Sequence, residues 1–338
     1  MLIQIKHGNA IYEPPIKNGA TLQRTKNAAS VFNFTIVGQE VALKGADGTL
    51  VIGEGDLVMV TSHELRPLGT GHKIFFGYVF SLRPDKNGEI EVTAYDQVRY
   101  LKNTDTFSYE NKTATDVLKM ICDNCRIKYG SDIMNTGYII PSRIEDNKEY
   151  LDMLQTAIDL TRDNTGKEFV LWDNYGEIAL HDSDFFKTNI TIDKDTAQDF
   201  SFETSIDSET YNQIKLYREL DDKTKESFTA SNGDTIGQWG LLQHSESLNK
   251  DENGDTKAQT LLKQFNRKTR TLSISGAFGD IRIRGGSVVY VQLDTADLGI
   301  SLFGYTISAW CRVESVTHTF NADNHVMDLE LKGDDALG

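Results

Sequence analysis

Ile52-Gly53-Glu54-Gly55-Asp56-Leu57-Val58-Met59-Val60 has a counterpart far along the chain, Ile283-Arg284-Gly285-Gly286-Ser287-Val288-Val289-Tyr290-Val291. Each is a glycine-containing turn feeding an apolar strand, and the offset between them is 231 residues. The strands that follow also correspond. Val79-Phe80-Ser81-Leu82 resembles Val313-Glu314-Ser315-Val316 at an offset of 234, and Ile90, Val92 and Ala94 match Met327, Leu329 and Leu331 at 237. The order is the same, and each connection is three residues longer in the second copy. Any two antiparallel sheets share patterns of this kind. The duplication reading instead puts two copies of one β-barrel on a single chain. Three such chains in a closed ring would then present six similar barrels.

Between the copies the periodicity changes. Thr113 and Asp116 have capping-box spacing, with Asp in place of the usual Glu. Behind them Ala114, Val117, Leu118, Ile121, Cys122 and Cys125 recur at helical spacing. A second helix is predicted from about Lys148 to Arg162, with Leu151, Leu154 and Ile158 on one side. Glu168 to Trp172 and Glu177 to His181 predict a hairpin turning at Asp173-Asn174-Tyr175-Gly176. Elsewhere strands dominate. Phe32 to Val37 alternates apolar and polar, Asn87-Gly88 supplies a tight turn, and Tyr211 to Tyr217 alternates again. A further helix is predicted from Thr256 to Arg267. The fold class is therefore α+β, mainly β, with boundaries expected at residues 1–103, 104–197 and 198–338.

The length of 338 residues suits two or three domains. The opening MLIQIKHGNA lacks a signal-peptide core, and the most apolar stretch, Ile300 to Cys311, is interrupted by Ser301, Gly304, Thr306 and Ser308. The expectation is a protein made in a cytoplasm, with no membrane partner. A net charge of −15 disfavours specific nucleic-acid binding, which would need a basic face.

Catalytic constellations are hard to find. Cys311 and His318 fall on one predicted strand, about 23 Å apart at about 3.3 Å per residue, too far for a dyad. Cys122 and Cys125 form a lone CxxC on a helix, with no second pair or histidine to complete four zinc ligands. Gly69-Thr70-Gly71-His72-Lys73 lacks phosphate-loop spacing, and Asp251-Glu252-Asn253-Gly254-Asp255 has its glycine misplaced for a calcium loop. No catalytic, cofactor-binding or metal residue is assigned, and no cofactor is expected. Trp172, Trp239 and Trp310 are candidate interface anchors. Trp239 stands among Gly237, Gln238 and Gly240, which reads as loop chemistry, and Trp239 and Trp310 are carried forward as subunit-interface residues.

Several phrases resemble one family. They are Tyr95-Asp96-Gln97-Val98-Arg99-Tyr100-Leu101, Thr113-Ala114-Thr115-Asp116-Val117-Leu118, Glu149-Tyr150-Leu151-Asp152-Met153-Leu154-Gln155, and Arg270-Thr271-Leu272-Ser273-Ile274 followed by Arg282-Ile283-Arg284-Gly285-Gly286. In order and spacing the chain resembles baseplate hub proteins of the defective-prophage XkdQ/YqbQ type, related to phage late-control protein D and the T4 hub, over roughly residues 30 to 333. The resemblance implies a non-enzymatic homotrimer between a hexameric tail tube and a trimeric central spike. Its two tube-like β-barrels would flank a small α+β domain. Its setting would be a contractile phage tail or a phage-tail-like bacteriocin, and DNA or tape-measure protein would pass through the ring. The alternatives are a tail-associated cell-wall hydrolase and a carbohydrate- or receptor-binding β module.

Overall fold

The same three backbone hydrogen bonds build the glycine turns of both copies. Gly55 N–H donates to Val79 O at 2.7 Å, and Gly286 N–H to Val313 O at 2.7 Å. The return bonds are Val79 N–H to Asp56 O at 2.9 Å and Val313 N–H to Ser287 O at 2.8 Å. Asp56 N–H reaches Gly53 O at 3.2 Å, and Ser287 N–H reaches Arg284 O at 3.0 Å. A side-chain oxygen closes each turn: Asp56 Oδ2 accepts from Gly53 N–H, and Ser287 Oγ from Arg284 N–H. Gly55 and Gly286 both hold a positive φ, +88° and +92°, which glycine adopts without steric cost.

These turns sit in a computed structural model that describes residues 1–37, 52–62, 73–207, 209–220, 224–248, 253–294, 306–322 and 324–332. The chain opens with β1 (Leu2–His7), β2 (Ala10–Tyr12), β3 (Ile16–Thr25), β4 (Val31–Val37), β5 (Leu57–Thr61), β6 (Lys73–Pro84) and β7 (Glu89–Tyr95). A 3-10 helix, Gln97–Lys102, leads to β8 (Thr104–Tyr109), α1 (Ala114–Cys125), β9 (Tyr129–Ile133), β10 (Arg143–Glu149), α2 (Tyr150–Thr165), β11 (Phe169–Asp173) and β12 (Ile178–Asp182). There follow β13 (Lys187–Asp193), β14 (Asp199–Ser205), β15 (Gln213–Glu219), β16 (Lys225–Ser231), α3 (Gly233–Trp239), β17 (Gln243–Ser247) and α4 (Gly254–Phe265). The chain ends with β18 (Thr269–Phe278), β19 (Val288–Asp294), β20 (Thr306–Phe320) and β21 (His325–Lys332).

Strand order repeats. The first copy runs β3-β4-β7-β6-β5-β1, and the second β14-β18-β21-β20-β19-β13. Register repeats with it. Val58 faces Gly77 and Val289 faces Cys311. Val79 faces Ala94 and Val313 faces Leu331, and both ladders slip at the next residue, Phe80 or Glu314, before resuming. The copies differ at their last strand: β1 is antiparallel to β5, whereas β13 is parallel to β19.

The mainly β, α+β class holds. Among the described residues, however, no ladder closes either copy into a barrel. Each copy is an open sheet. The first is curled enough that Ile3 and Ile5 of β1 share one core with Ala20 and Leu22 of β3. Between the copies, α1 and α2 bury Val117, Leu118, Ile121, Met153, Leu154 and Ile158 in a second core. The expected capping box is formed: Thr113 accepts from Asp116 N–H at 3.2 Å while Asp116 Oδ2 accepts from Thr113 N–H at 2.9 Å. The hairpin at residues 173–176 forms between β11 and β12.

By its contacts the chain divides into two compact units, Met1–Phe200 with Ser273–Lys332, and Ser201–Leu272. The second has its own sheet, in the order β16-β15-β17, and its own core around Ile214, Leu216, Ala230, Leu248, Ala258 and Leu262.

Candidate assembly joint

The two copies meet edge to edge. The second half of β20 runs antiparallel to β3, pairing Ser315 with Thr25, Thr317 with Gln23 and Phe320 with Ala20. Lys26 N–H donates to Glu314 O at 2.8 Å, which extends the ladder one step. One sheet thus spans both copies.

Charged side chains are buried where β3 and β20 join. Arg24 is 6% exposed, and its guanidinium donates to the carbonyls of Ile281 at 2.8 Å, Ile283 at 3.3 Å and Ile74. It ties β3 to the turn before β19 and to the start of β6. Diagonal to it in the β3–β20 ladder, opposite Leu22, is His318, fully buried. His318 Nε2 lies 3.0 Å from Ile283 O, which can only accept, so Nε2 carries the proton. Nδ1 then accepts from His325 Nε2 at 3.0 Å. Burial, reinforced by the charge of Arg24, pushes the His318 pKa well below its usual value, so the ring is neutral.

Two carboxylates and a second arginine complete the set. Asp96 caps the 3-10 helix, with Oδ1 accepting from Val98 N–H at 3.0 Å and Oδ2 from Ser30 N–H at 2.9 Å. Asp173, at the hairpin turn, accepts from Gly176 N–H at 2.6 Å and from the Gln97 side chain at 3.2 Å. Burial raises the pKa of both carboxyls, and the charge of Asp173 raises Asp96 further. Burial likewise lowers Arg284, whose guanidinium lies 5.7 Å from the Trp172 ring centroid. Two arginines and two acids therefore balance in formal charge, the condition under which buried ions persist. A second cluster bridges β3, β11 and β20: Glu168 pairs with both Lys26 and Arg312, and Lys26 lies 3.9 Å from Glu314.

None of these groups has the arrangement of a nucleophile and its base. Both His318 nitrogens are occupied, and the acids accept from backbone amides. The joint fixes the register of one copy against the other. Among the described residues no three His, Cys, Asp or Glu side chains are placed to hold a metal ion, and no helix is long and apolar enough to cross a membrane.

The residues singled out from sequence are scattered. Trp310, on β20, is 42% exposed, with its ring edge-on to Tyr290 and under the Lys187 ammonium at 4.3 Å. Trp239 does not sit in a loop. It ends α3, which Asn232 caps by accepting from Asp234 and Thr235 N–H and which Gly240 terminates at φ +78°. Trp172 is buried against Phe186. Burial pushes the Cys122 thiol up to about 12 and the Cys311 thiol up to about 11. Cys125 is half-buried and raised by the same cause. Gly69 to His72 and Asp251 to Glu252 lie outside the described residues, while Asn253 N-caps α4 by accepting from Thr256 N–H at 3.1 Å.

Nothing in the sequence joins Arg24, Asp96, Asp173, Arg284 and His318 as a group. The only signal was that Asp96 and Arg284 stand in phrases that lie outside strand alternation.

Comparison with known proteins gives a consistent picture. The model of the YQBQ-like family matches residues 21–332. The phage-like element PBSX protein XkdQ of Bacillus subtilis (strain 168) is 25% identical over 318 residues, covering 88% of this chain and 92% of that protein. Among solved structures, the 43 kDa tail protein of prophage MuSo2 from Shewanella oneidensis superposes with a TM-score of 0.65 at 14% identity, covering 98% of this chain and 97% of that one. The E. coli c3393 protein, a type VI secretion component described as structurally similar to the T4 tail proteins gp27 and gp5, gives 0.52 at 10% identity, covering 99% of this chain and 77% of that one.

Proposed function

The chain belongs to the YQBQ-like family and has the fold of a prophage tail protein, and on that premise we propose that it is a structural hub of a phage-type tail baseplate. Three copies would form a ring between a sixfold tail tube and a threefold central spike, with other baseplate proteins around it. The observation that carries this is the duplication itself. One chain holds two sheets of the same strand order, register and turn chemistry. A threefold ring of such chains presents six near-equivalent edges, which resolves the mismatch between tube and spike. At the level of fold, the likeness to c3393, itself described as structurally similar to the T4 tail proteins gp27 and gp5, supports a place in a tail.

The role is mechanical and non-enzymatic. Trp310, exposed on β20, and Trp239 are the proposed anchors at contacts with neighbouring proteins. A net charge of −15 suits a ring through which DNA or tape-measure protein passes without adhering, in a particle assembled in a bacterial cytoplasm.

Light scattering of the purified chain, and negative-stain images of the chain within tail particles, test the proposal. The expected result is three chain masses and rings with threefold symmetry. A monomer in solution that also lacks threefold arrangement in the particle overturns it. Clearing of peptidoglycan by the purified chain would favour the hydrolase reading instead.

A further inference from the structure

The joint within one chain has a half-made equivalent. β6 corresponds to β20 at an offset of 234, through matched ladders on both of its sides. In β20, the stretch Ser315–Phe320 continues past β19 and uses its free edge to bind β3. The corresponding stretch of β6 begins at Ser81. β6 pairs with β5 only up to Tyr78 and with β7 beyond it, so among the described residues no strand covers its other edge from Phe80 onward. At the far end of the strand order, β14 occupies the place in the second copy that β3 has in the first. It pairs with β18 on one side, and no described strand pairs with its other side.

We propose that the uncovered edge of β6, from Phe80 to Pro84, pairs antiparallel with β14 of a second copy of this chain. The contact repeats between molecules the β20–β3 joint made within one. This rests on the hub reading and deepens it by naming the strands that close the ring.

Three further features fit. The bond from Lys26 N–H to Glu314 O shows that the even-numbered residues of this part of β20 point toward β3. Their equivalents in β6 are Phe80, Leu82 and Pro84. Proline has no N–H to give, and within a sheet it is tolerated where that position faces away from the existing ladder. Asp85 N–H donates to Glu89 O on the β7 side, so the missing donor of the preceding Pro84 lies on the open side and ends the proposed ladder there. Charge is also complementary. The β6 edge and its turn carry Arg83, 78% exposed and loosely paired with Glu91 at 3.4 Å, and Lys86, beside a single acid, Asp85. β14 carries exposed Asp199 and Glu203 and no base. Finally, open strand edges template pairing with other chains unless they are covered, and a ring of three covers the β6 and β14 edges of every chain.

The test uses the full chain, purified and within assembled tail particles. Leu82→Pro removes an edge N–H that no described strand accepts within the monomer, so it is expected to leave the monomer folded by circular dichroism and to reduce the trimeric fraction at least tenfold. A second variant set guards against misfolding. Ser81→Cys is combined in turn with Glu203→Cys, Thr204→Cys and Ser205→Cys, and inter-chain disulfides are read on non-reducing gels. At least one combination is expected to cross-link into a covalent trimer, with none formed when Ser81 is left unchanged. A trimer that survives Leu82→Pro and shows no cross-link in any combination overturns the joint and leaves the hub reading standing. Cross-linking into open-ended filaments supports the strand pairing and overturns the closed ring. A chain that is monomeric in solution and in the particle overturns both.

Discussion

At the scale of single residues, the joint stores titratable groups whose pH effects oppose one another. His318 is neutral in the fold and pushed below its ordinary value, so the unfolded chain takes up its proton first, below about pH 6.5. Its contribution to stability is complete above that pH and is lost as pH falls through and below it. Asp96 and Asp173 behave in the other sense. Their folded pKa values are raised, so the fold holds protons that the unfolded chain has released above about pH 3.9. Stability from this pair therefore declines as pH rises from the ordinary carboxylate range toward the folded values. His318→Gln keeps a donor for Ile283 O and an acceptor for His325, and it is expected to flatten the acid loss by up to about 1.4 kcal/mol per pH unit between pH 6.5 and 5. Asp173→Asn is expected to steepen that loss over the same interval. Urea midpoints at pH 5, 6 and 7.5 decide it, and parallel profiles for wild type and both variants would show that these groups do not titrate with folding. None of this was legible beforehand. Arg24 falls on the same alternating face as Ala20 and Leu22 along β3, but a charged residue there reads as the end of the buried stretch and not as part of it. The carbonyls of Ile281 and Ile283, more than 250 residues away, together with that of Ile74, make that burial tolerable.

At the scale of elements, the duplicated turn predicts two unequal mutations. Gly55→Ala places a Cβ where nothing lies within 4 Å, so its cost is the backbone penalty alone at φ +88°, about 1–2 kcal/mol. Gly286→Ala meets the same backbone penalty at φ +92° and also sets a Cβ 2.6 Å from Val170 Cγ1. Overpacking adds about 1–3 kcal/mol, so Gly286→Ala is expected to destabilise more than Gly55→Ala by at least about 1 kcal/mol. Equal shifts in denaturation midpoint would show that the turn after Ile283 yields where the structure holds it fixed. These turns were readable from sequence because glycine followed by alternating apolar residues is a local signal, and offsets of 231, 234 and 237 translated directly into the observed registers. The capping box was readable for the same reason. What local signals could not supply was the direction of the last strand. β1 and β13 hold equivalent positions with opposite polarity, a difference that no local residue pattern encodes.

At the scale of the whole molecule, the two compact units differ in how much core supports them. In Ser201–Leu272 six buried apolar side chains form the centre, around a three-stranded sheet and α4. Sequence showed the alternation of β15 but not its partners: β16 (KESFTAS) and β17 (QHSES) are polar strands with few apolar positions, and α3 is a seven-residue helix without a buried face. Such elements are held by pairing with one apolar strand, and period alone does not reveal them. Leu216→Ala removes a fully buried side chain from that strand, at a cost of about 2–5 kcal/mol. A loss of that size is a large part of what a small core supplies. The expected outcome is loss of amide protection across β15, β16, β17 and α4, with protection of β4, β7, α1 and β14 unchanged and trimer mass retained. Phe32→Ala, equally buried in the first copy, is expected to do the reverse: protection falls in β3, β4 and β7, and the trimer weakens because the sheet that carries the joint is disordered. Hydrogen exchange read by mass spectrometry separates the two. If Leu216→Ala exposes β4 and β7 as fully as Phe32→Ala does, the units unfold as one, and the ring's stability cannot be assigned to the duplicated sheets alone.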